Sequence, residues 1–507
     1  MPLNKYKFDY LLLAIIVIFT SCNEAKKETR QDSEPITEQE KTWEYLKAVP
    51  IPQWYEDAKF GIFIHWGPYA VPGWSNGHYY SEWYSTAMYI DEDFKKYHEE
   101  NYGKLGEFGY KDFISMFKAE KYNADEWALI LKSSGAKYVI PTAEHHDGFA
   151  MWDTDLTPWN SVDRGPNLDF IGTLGQAVRK AGMGYGVSYH RERHWGFYTN
   201  SLNDYRKDVE PNEYVKQEII ANPEAELLYG PFGLTEAFME DYKKRFLEIC
   251  TKYQPDFMWI DDAPSNSKKP EAPAVDKFMN TYHREMIAEY VYMAKDWGKE
   301  VYWNNKRWSR NNYPAGAGVD EKDYLRLDSI PPVKWQSSGG MAHSYGYDRT
   351  EDDEGKYKSS EKLVETLIDV VSKGGNFLLD IGPKADGTIT PLVQSRLKGI
   401  GDWLAVNGDA IYGTRTWNTF GYDDIRYTIK GNDLYVLFLN QPEDGFIVKG
   451  LMPETGTEIT LVNGNKKVIW EQQGDKIILQ VKADDLPTEN NAEAAAYAFK
   501  VKGYIKE

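Results

Sequence analysis

The chain has 507 residues, more than one hydrophobic core usually holds, and so predicts one large and one smaller domain. Its net charge of -19 argues against nucleic acid or an anionic membrane surface as partner, because both need clustered Lys and Arg. Aromatic residues make up 15%, with 17 Trp and 37 Tyr, which suits stacking on sugar rings as well as filling a core.

Residues 1–22 open with Lys5 and Lys7, continue through the apolar run 11–19 and close on Thr20, Ser21 and Cys22. A basic start, a short apolar stretch and small residues make an export signal too short to span a bilayer. A cysteine at that point predicts lipidation of Cys22 after cleavage, hence a protein anchored in the outer membrane and facing the periplasm or the cell surface. Residues 23–42 are charged and lack apolar periodicity, as expected of a flexible tether. With Cys22 lipidated, Cys250 stands alone and no intrachain disulfide is possible.

From 43 to 414, short apolar runs alternate with amphipathic helical stretches. The runs are 61–64, 137–140, 184–189, 256–260, 301–303 and 376–379, and each is followed by polar residues: His65, then Glu144 to Asp147, His190, Asp261 and Asp262, Asn304 and Asn305, and Asp380. Polar chemistry at the carboxyl end of successive strands predicts a (β/α)8-type barrel, whose site is built at that rim. An insertion at 199–240 is expected to shape either the cleft or a packing interface. From 415 to 507 the runs become β-branched and aromatic, with turns at Gly431-Asn432 and at 463–465, which predicts a small C-terminal antiparallel β-sandwich.

Asp261 follows an apolar strand directly, so it stands at the barrel mouth as a catalytic carboxylate or, alternatively, caps the next helix. His145, His146 and Asp147 form a cluster open to three readings: metal ligands, a base, or groups that bind sugar hydroxyls. Consecutive strand residues point to opposite faces and no His-x-x-x-His or Cys partner completes a set, so hydroxyl binding fits best and neither a metal nor a cofactor is expected.

At this point the residues resemble a known family. The segments FGIFIHWGPY (60–69), SEWY (81–84), EHHDGF (144–149), Trp259 to Asp261, VSKGGNFLLDIGP (371–383), Trp403 and NGDAIYGT (407–414) resemble the α-L-fucosidases of glycoside hydrolase family 29, in the same order over 43–415. The resemblance implies a barrel with a C-terminal β-sandwich, no metal, and hydrolysis with retention through a covalent glycosyl-enzyme. It makes Asp261 the nucleophile and gives His65, Glu82, Trp83, His145, His146, Tyr189 and Arg307 to the sugar.

Three positions depart from the pattern. Gln336 stands where the family often has Glu, residues 322–328 replace a stretch like Gly-Asp-Tyr-x-Thr-Pro-Glu, and Asp262 replaces a common Gly. The acid/base then falls to Glu321 or Asp328, with Asp323 between them in the same acidic stretch. The expected activity is removal of terminal α-L-fucose from an oligosaccharide or polysaccharide. An exo-α-L-galactosidase on the same scaffold, or a catalytically impaired glycan-binding lipoprotein, are the alternatives.

Overall fold

The computed structural model describes residues 35–200, 209–261, 272–306, 314–443, 445–486 and 495–506. Cys22, Arg307, Asp262 and the proposed tether up to residue 34 lie outside these residues. Residues 36–507 form one compact unit.

Eight parallel strands close into a barrel: β1 (Phe60–Ile64), β2 (Tyr138–Glu144), β3 (Gly184–Tyr189), β4 (Phe257–Ile260), β5 (Tyr302–Asn305), β6 (Val319–Asp323), β7 (Trp335–Gly340) and β8 (Asn376–Ile381). Closure is made by β1, which pairs with β2 on one side and with β8 on the other, Ile62 facing both Val139 and Leu379. β1, β2 and β4 are buried at every position because helices cover the barrel outside and side chains fill it inside.

The six apolar runs of the sequence correspond to β1 to β5 and β8. β6 and β7, with sequences VDEKD and WQSSGG, carry no apolar run, and Glu321 and Gln336 turn into the barrel. There Glu321 accepts from Trp259 Nε1 at 3.0 Å, Gln336 Nε2 at 2.6 Å and the Ser338 amide at 3.1 Å. Gln336 Oε1 in turn accepts from the hydroxyls of Tyr55 and Tyr138, at 2.8 and 3.0 Å. A barrel interior filled by a satisfied polar network has no hydrophobic periodicity to read.

Helices follow the strands in the usual order, among them Ala124–Ser133, Phe170–Lys180, Glu236–Tyr253, Arg284–Trp297, Ser360–Ser372 and Pro391–Asn407. Between β6 and β7 the chain forms no helix. Among its described residues, the insertion packs against the chain. Helix Glu213–Ala221 buries Glu218, which accepts from the Tyr89 and Tyr229 hydroxyls at 2.8 and 2.5 Å.

The C-terminal strands are β9 (Gly421–Tyr422), β10 (Ile425–Lys430), β11 (Asp433–Phe438), β12 (Phe446–Lys449), β13 (Ile459–Leu461), β14 (Lys466–Gln473), β15 (Lys476–Gln480) and β16 (Tyr497–Val501). They are hydrogen-bonded in the order β12-β15-β14-β13-β16-β11-β10-β9. β14 pairs with β13 through residues 466–468 and with β15 through 469–473, so the sheet turns over along this one strand. Phe446 of the edge strand then packs 5.0 Å from Phe438 and 5.1 Å from Phe499, strands far from it in the ladder. Two layers face each other over their own core, as a sandwich does. The Gly431-Asn432 turn joins β10 to β11 with Lys430 opposite Asp433.

Candidate active site

All eight strand ends supply the site. His65 follows β1, and the crossover after it brings Glu82 and Trp83 on the short turn Ser81–Trp83. His145 and His146 follow β2, His190 follows β3, Asp261 follows β4, Lys306 follows β5, Asp323 ends β6, Tyr345 follows β7 and Asp380 lies in β8. Except for Asp380, all of these line one cavity of about 350 Å³, together with Phe63, Tyr80, Arg193 and Trp259. Strand ends converge at the C-terminal mouth of such a barrel, so residues distant in sequence meet there.

Asp261 is its electrostatic centre. Asn304 fixes the strand end that carries it, accepting from the Ile260 amide at 2.6 Å and donating to the Ile260 carbonyl at 3.0 Å. Lys306 Nζ lies 2.5 Å from Asp261 Oδ1, while His146 Nε2 and His190 Nδ1 lie 3.0 and 3.4 Å from Oδ2. Burial alone would raise the Asp261 carboxyl, but Lys306 and the two imidazoles outweigh it and hold the group well below the usual carboxylate range. The same ammonium reaches Asp323 Oδ2 at 2.9 Å. Two oxygens touching one nitrogen at 2.5 and 2.9 Å are at most about 5.4 Å apart.

The imidazoles are held from behind. His65 Nδ1 pairs with Asp380 at 2.7 Å, and burial drives the pair toward neutrality, His65 down and Asp380 up. His146 donates from Nδ1 to the His190 carbonyl at 2.5 Å. His190 Nε2 lies 2.7 Å from Ser188 Oγ, burial lowers the ring to about 4, and it stacks on Trp259 at 4.9 Å. Glu82 accepts from the amides of Tyr345 and Gly346 at 3.2 and 2.9 Å, yet burial raises it to about 7.

Of the residues expected from sequence, His65, Glu82, Trp83, His145, His146 and Asp261 meet in the cavity. Tyr189 does not: its hydroxyl donates to the Tyr242 carbonyl at 2.9 Å inside the barrel wall, and the next residue, His190, takes the cavity face. Alternation along a strand reverses the face with each residue, so a register error of one exchanges wall for site. Alternation also failed to separate His145 from His146. β2 ends at Glu144, and both histidines lie beyond it.

Neither acid/base candidate reaches the cavity. Asp328 is exposed on the connection after β6, and Glu321 is buried beneath Trp259 with three donors, raised to about 7 by burial and by the Asp323 charge. Asp323 is the carboxylate of that segment that lines it. Among the described residues, two groups have metal-ligand spacing: His65, His145 and His190; and His146, His190 and Asp261.

Two carboxylates bridged by a lysine beside a set of buried imidazoles, at the mouth of a parallel barrel, form the kind of site that cleaves a glycosidic bond. Residues 25–409 match the family described as Alpha-L-fucosidase. An α-L-fucosidase of Dictyostelium discoideum is 32% identical over 448 residues, covering 83% of this chain and 88% of its own length. The tissue α-L-fucosidase of Homo sapiens is 30% identical over 467 residues, covering 91% and 90%. Among solved structures, the Thermotoga maritima α-fucosidase in complex with fucose superposes with a TM-score of 0.71 at 34% identity, covering 91% of this chain and 99% of that one. The chain belongs to the α-L-fucosidase family and is a glycoside hydrolase.

Proposed function

We propose that the protein is a retaining exo-α-L-fucosidase with Asp261 as nucleophile and Asp323 as acid/base. The observation that carries this reading is the pair of carboxylates bridged by Lys306, whose near oxygens are at most about 5.4 Å apart. Retaining glycosidases hold their two carboxyl groups roughly 5–5.5 Å apart, whereas inverting ones need about 6.5–9.5 Å to admit a water. In the first step an Asp261 oxygen attacks the anomeric carbon while Asp323 protonates the departing glycosidic oxygen, leaving a β-linked glycosyl-enzyme. Asp323 then takes a proton from water, which attacks the same carbon, frees Asp261 and releases α-L-fucose.

An ionised Asp261 is ready to attack at neutral pH. His65, Glu82, Trp83, His145 and His146 receive the sugar, and Phe63, Trp259 and Tyr345 form apolar walls that keep bulk water out; the family resemblance gives Arg307, outside the described residues, to the sugar as well. Proton NMR of the first product tests the reading: α-L-fucose formed before any β-anomer is expected, and β-anomer formed first contradicts it. The leader supports a further reading, export with lipidation at Cys22 and the outer membrane as location. Release of a Cys22→Ser variant from the membrane fraction is the expected result, and its retention there opposes the reading.

A further inference from the structure

His65, His145 and His190 turn toward one another in the floor of the cavity, and each offers a ring nitrogen within 4.8 Å of the other two. Their ring centroids form a triangle with sides of 5.7, 5.0 and 5.1 Å. Three imidazoles on a tetrahedral zinc ion, bound at about 2.0–2.1 Å, place their centroids about 5 Å from one another. The triangle is therefore already that of a three-histidine site.

Two of the rings also have the support that metal-bound histidines need. His65 Nδ1 is fixed by Asp380 and His190 Nε2 by Ser188 Oγ, each at 2.7 Å, while His190 Nδ1 lies 3.4 Å from Asp261 Oδ2, a contact that a bound ion replaces. His145 Nδ1 is buried without a hydrogen-bond partner. The neighbouring set of His146, His190 and Asp261 is less suited, because the Lys306 ammonium 2.5 Å from Asp261 already occupies that carboxylate.

We propose that His65, His145 and His190 form a latent site for a borderline transition-metal ion such as zinc, which blocks the sugar pocket when filled. The ion takes no part in the reaction. Asp261 beside His190 offsets the Lys306 charge, and the fourth coordination position opens on the cavity. The ion occupies the space given above to sugar hydroxyls, so zinc is a competitive inhibitor. That consequence rests on the proposed function, whereas the metal site does not.

Cobalt(II) titration of the chelator-treated full chain, read by visible absorption, tests the site without turnover. One equivalent is expected to give ligand-field bands at micromolar concentration, and these are lost in His145→Ala and His190→Ala and unchanged in His78→Ala, whose ring is exposed. Asp380→Asn, a milder change, is expected to weaken binding about 10–100-fold. Circular dichroism establishes that each variant folds. Absence of binding, or binding that survives the histidine and Asp380 changes, overturns the proposal. L-Fucose should displace the cobalt. Histidine-dependent binding that ignores fucose keeps the metal site and contradicts the assignment of the pocket to fucose.

Discussion

At the scale of single residues, Lys306 decides the charge of the proposed nucleophile. Its ammonium is the largest influence opposing burial of Asp261, so its removal raises the Asp261 pKa toward the ordinary carboxylate value. Lys306→Met is therefore expected to move the acid limb of the kcat/KM profile to higher pH, and an unmoved limb contradicts this role. The acid/base is tested by comparing a natural disaccharide with an activated aryl fucoside, whose leaving group departs without protonation. Asp323→Ala should lose activity mainly on the disaccharide, with azide rescue giving the retained α-azide. Asp328→Ala should stay near wild type on both. Glu321→Ala strands the donors of Trp259, Gln336 and Ser338, each costing about 1–3 kcal/mol, so its thermal midpoint should fall and its loss should not discriminate between substrates.

At the scale of elements, the strands that read clearly in the sequence are those with apolar faces on both sides. Polar residues just after those runs located His65, His145, His146 and Asp261 without a structure, because a barrel strand ends where its side chains meet solvent or substrate. β6 and β7 were illegible because Glu321, Gln336 and Ser338 satisfy one another inside the barrel. Lys306 escaped notice, and Asp323 was not singled out from Glu321 and Asp328, for a related reason: the ion pair joining them to Asp261 exists only across three strand ends.

Helix packing gives a sharper test of the architecture. Helix Pro391–Asn407 approaches the C-terminal end of Ala124–Ser133 so closely that a Cβ at Gly401 meets the Ser133 carbonyl oxygen at 1.8 Å. Gly401→Ala gains about 1 kcal/mol of helix propensity but must push the helices apart, a strain of about 1–3 kcal/mol or more. A lower thermal midpoint with unchanged KM is expected, and a raised midpoint contradicts the close contact.

At the scale of the whole molecule, the sandwich and barrel are tied together. Arg426 of β10 pairs with Asp369 of helix Ser360–Ser372 at 2.7 Å, and Trp403 donates to the Ala496 carbonyl at 2.9 Å. Stability against pH reports two opposed sets of buried groups. Burial raises Glu82, Asp147 and Glu321 to about 7, so the native state keeps protons that the unfolded chain has lost, and this contribution falls as pH rises from about 4.5 to 7. Burial lowers His190 to about 4, and His194 and His283 to about 3, so the unfolded chain binds more protons below 6.5 and this contribution falls as pH drops. Between about 4.5 and 6.5 the two sets offset each other, and below that the histidines and the depressed Asp261 all act against the fold. A thermal midpoint nearly flat from pH 4.5 to 6.5 and falling below pH 4 is expected, and a steep rise across that plateau contradicts the balance.

The central claim is that Asp261 forms a covalent bond to the sugar during turnover. A 2-deoxy-2-fluoro-L-fucosyl fluoride slows both steps but keeps a good leaving group, so the glycosyl-enzyme accumulates and peptide mapping by mass spectrometry finds the labelled residue. Time-dependent inactivation with one 2-fluorofucosyl group on Asp261, and none on the Asp261→Gly variant, is expected. A label on Glu82 or Asp323, or turnover of the reagent without any adduct, contradicts it.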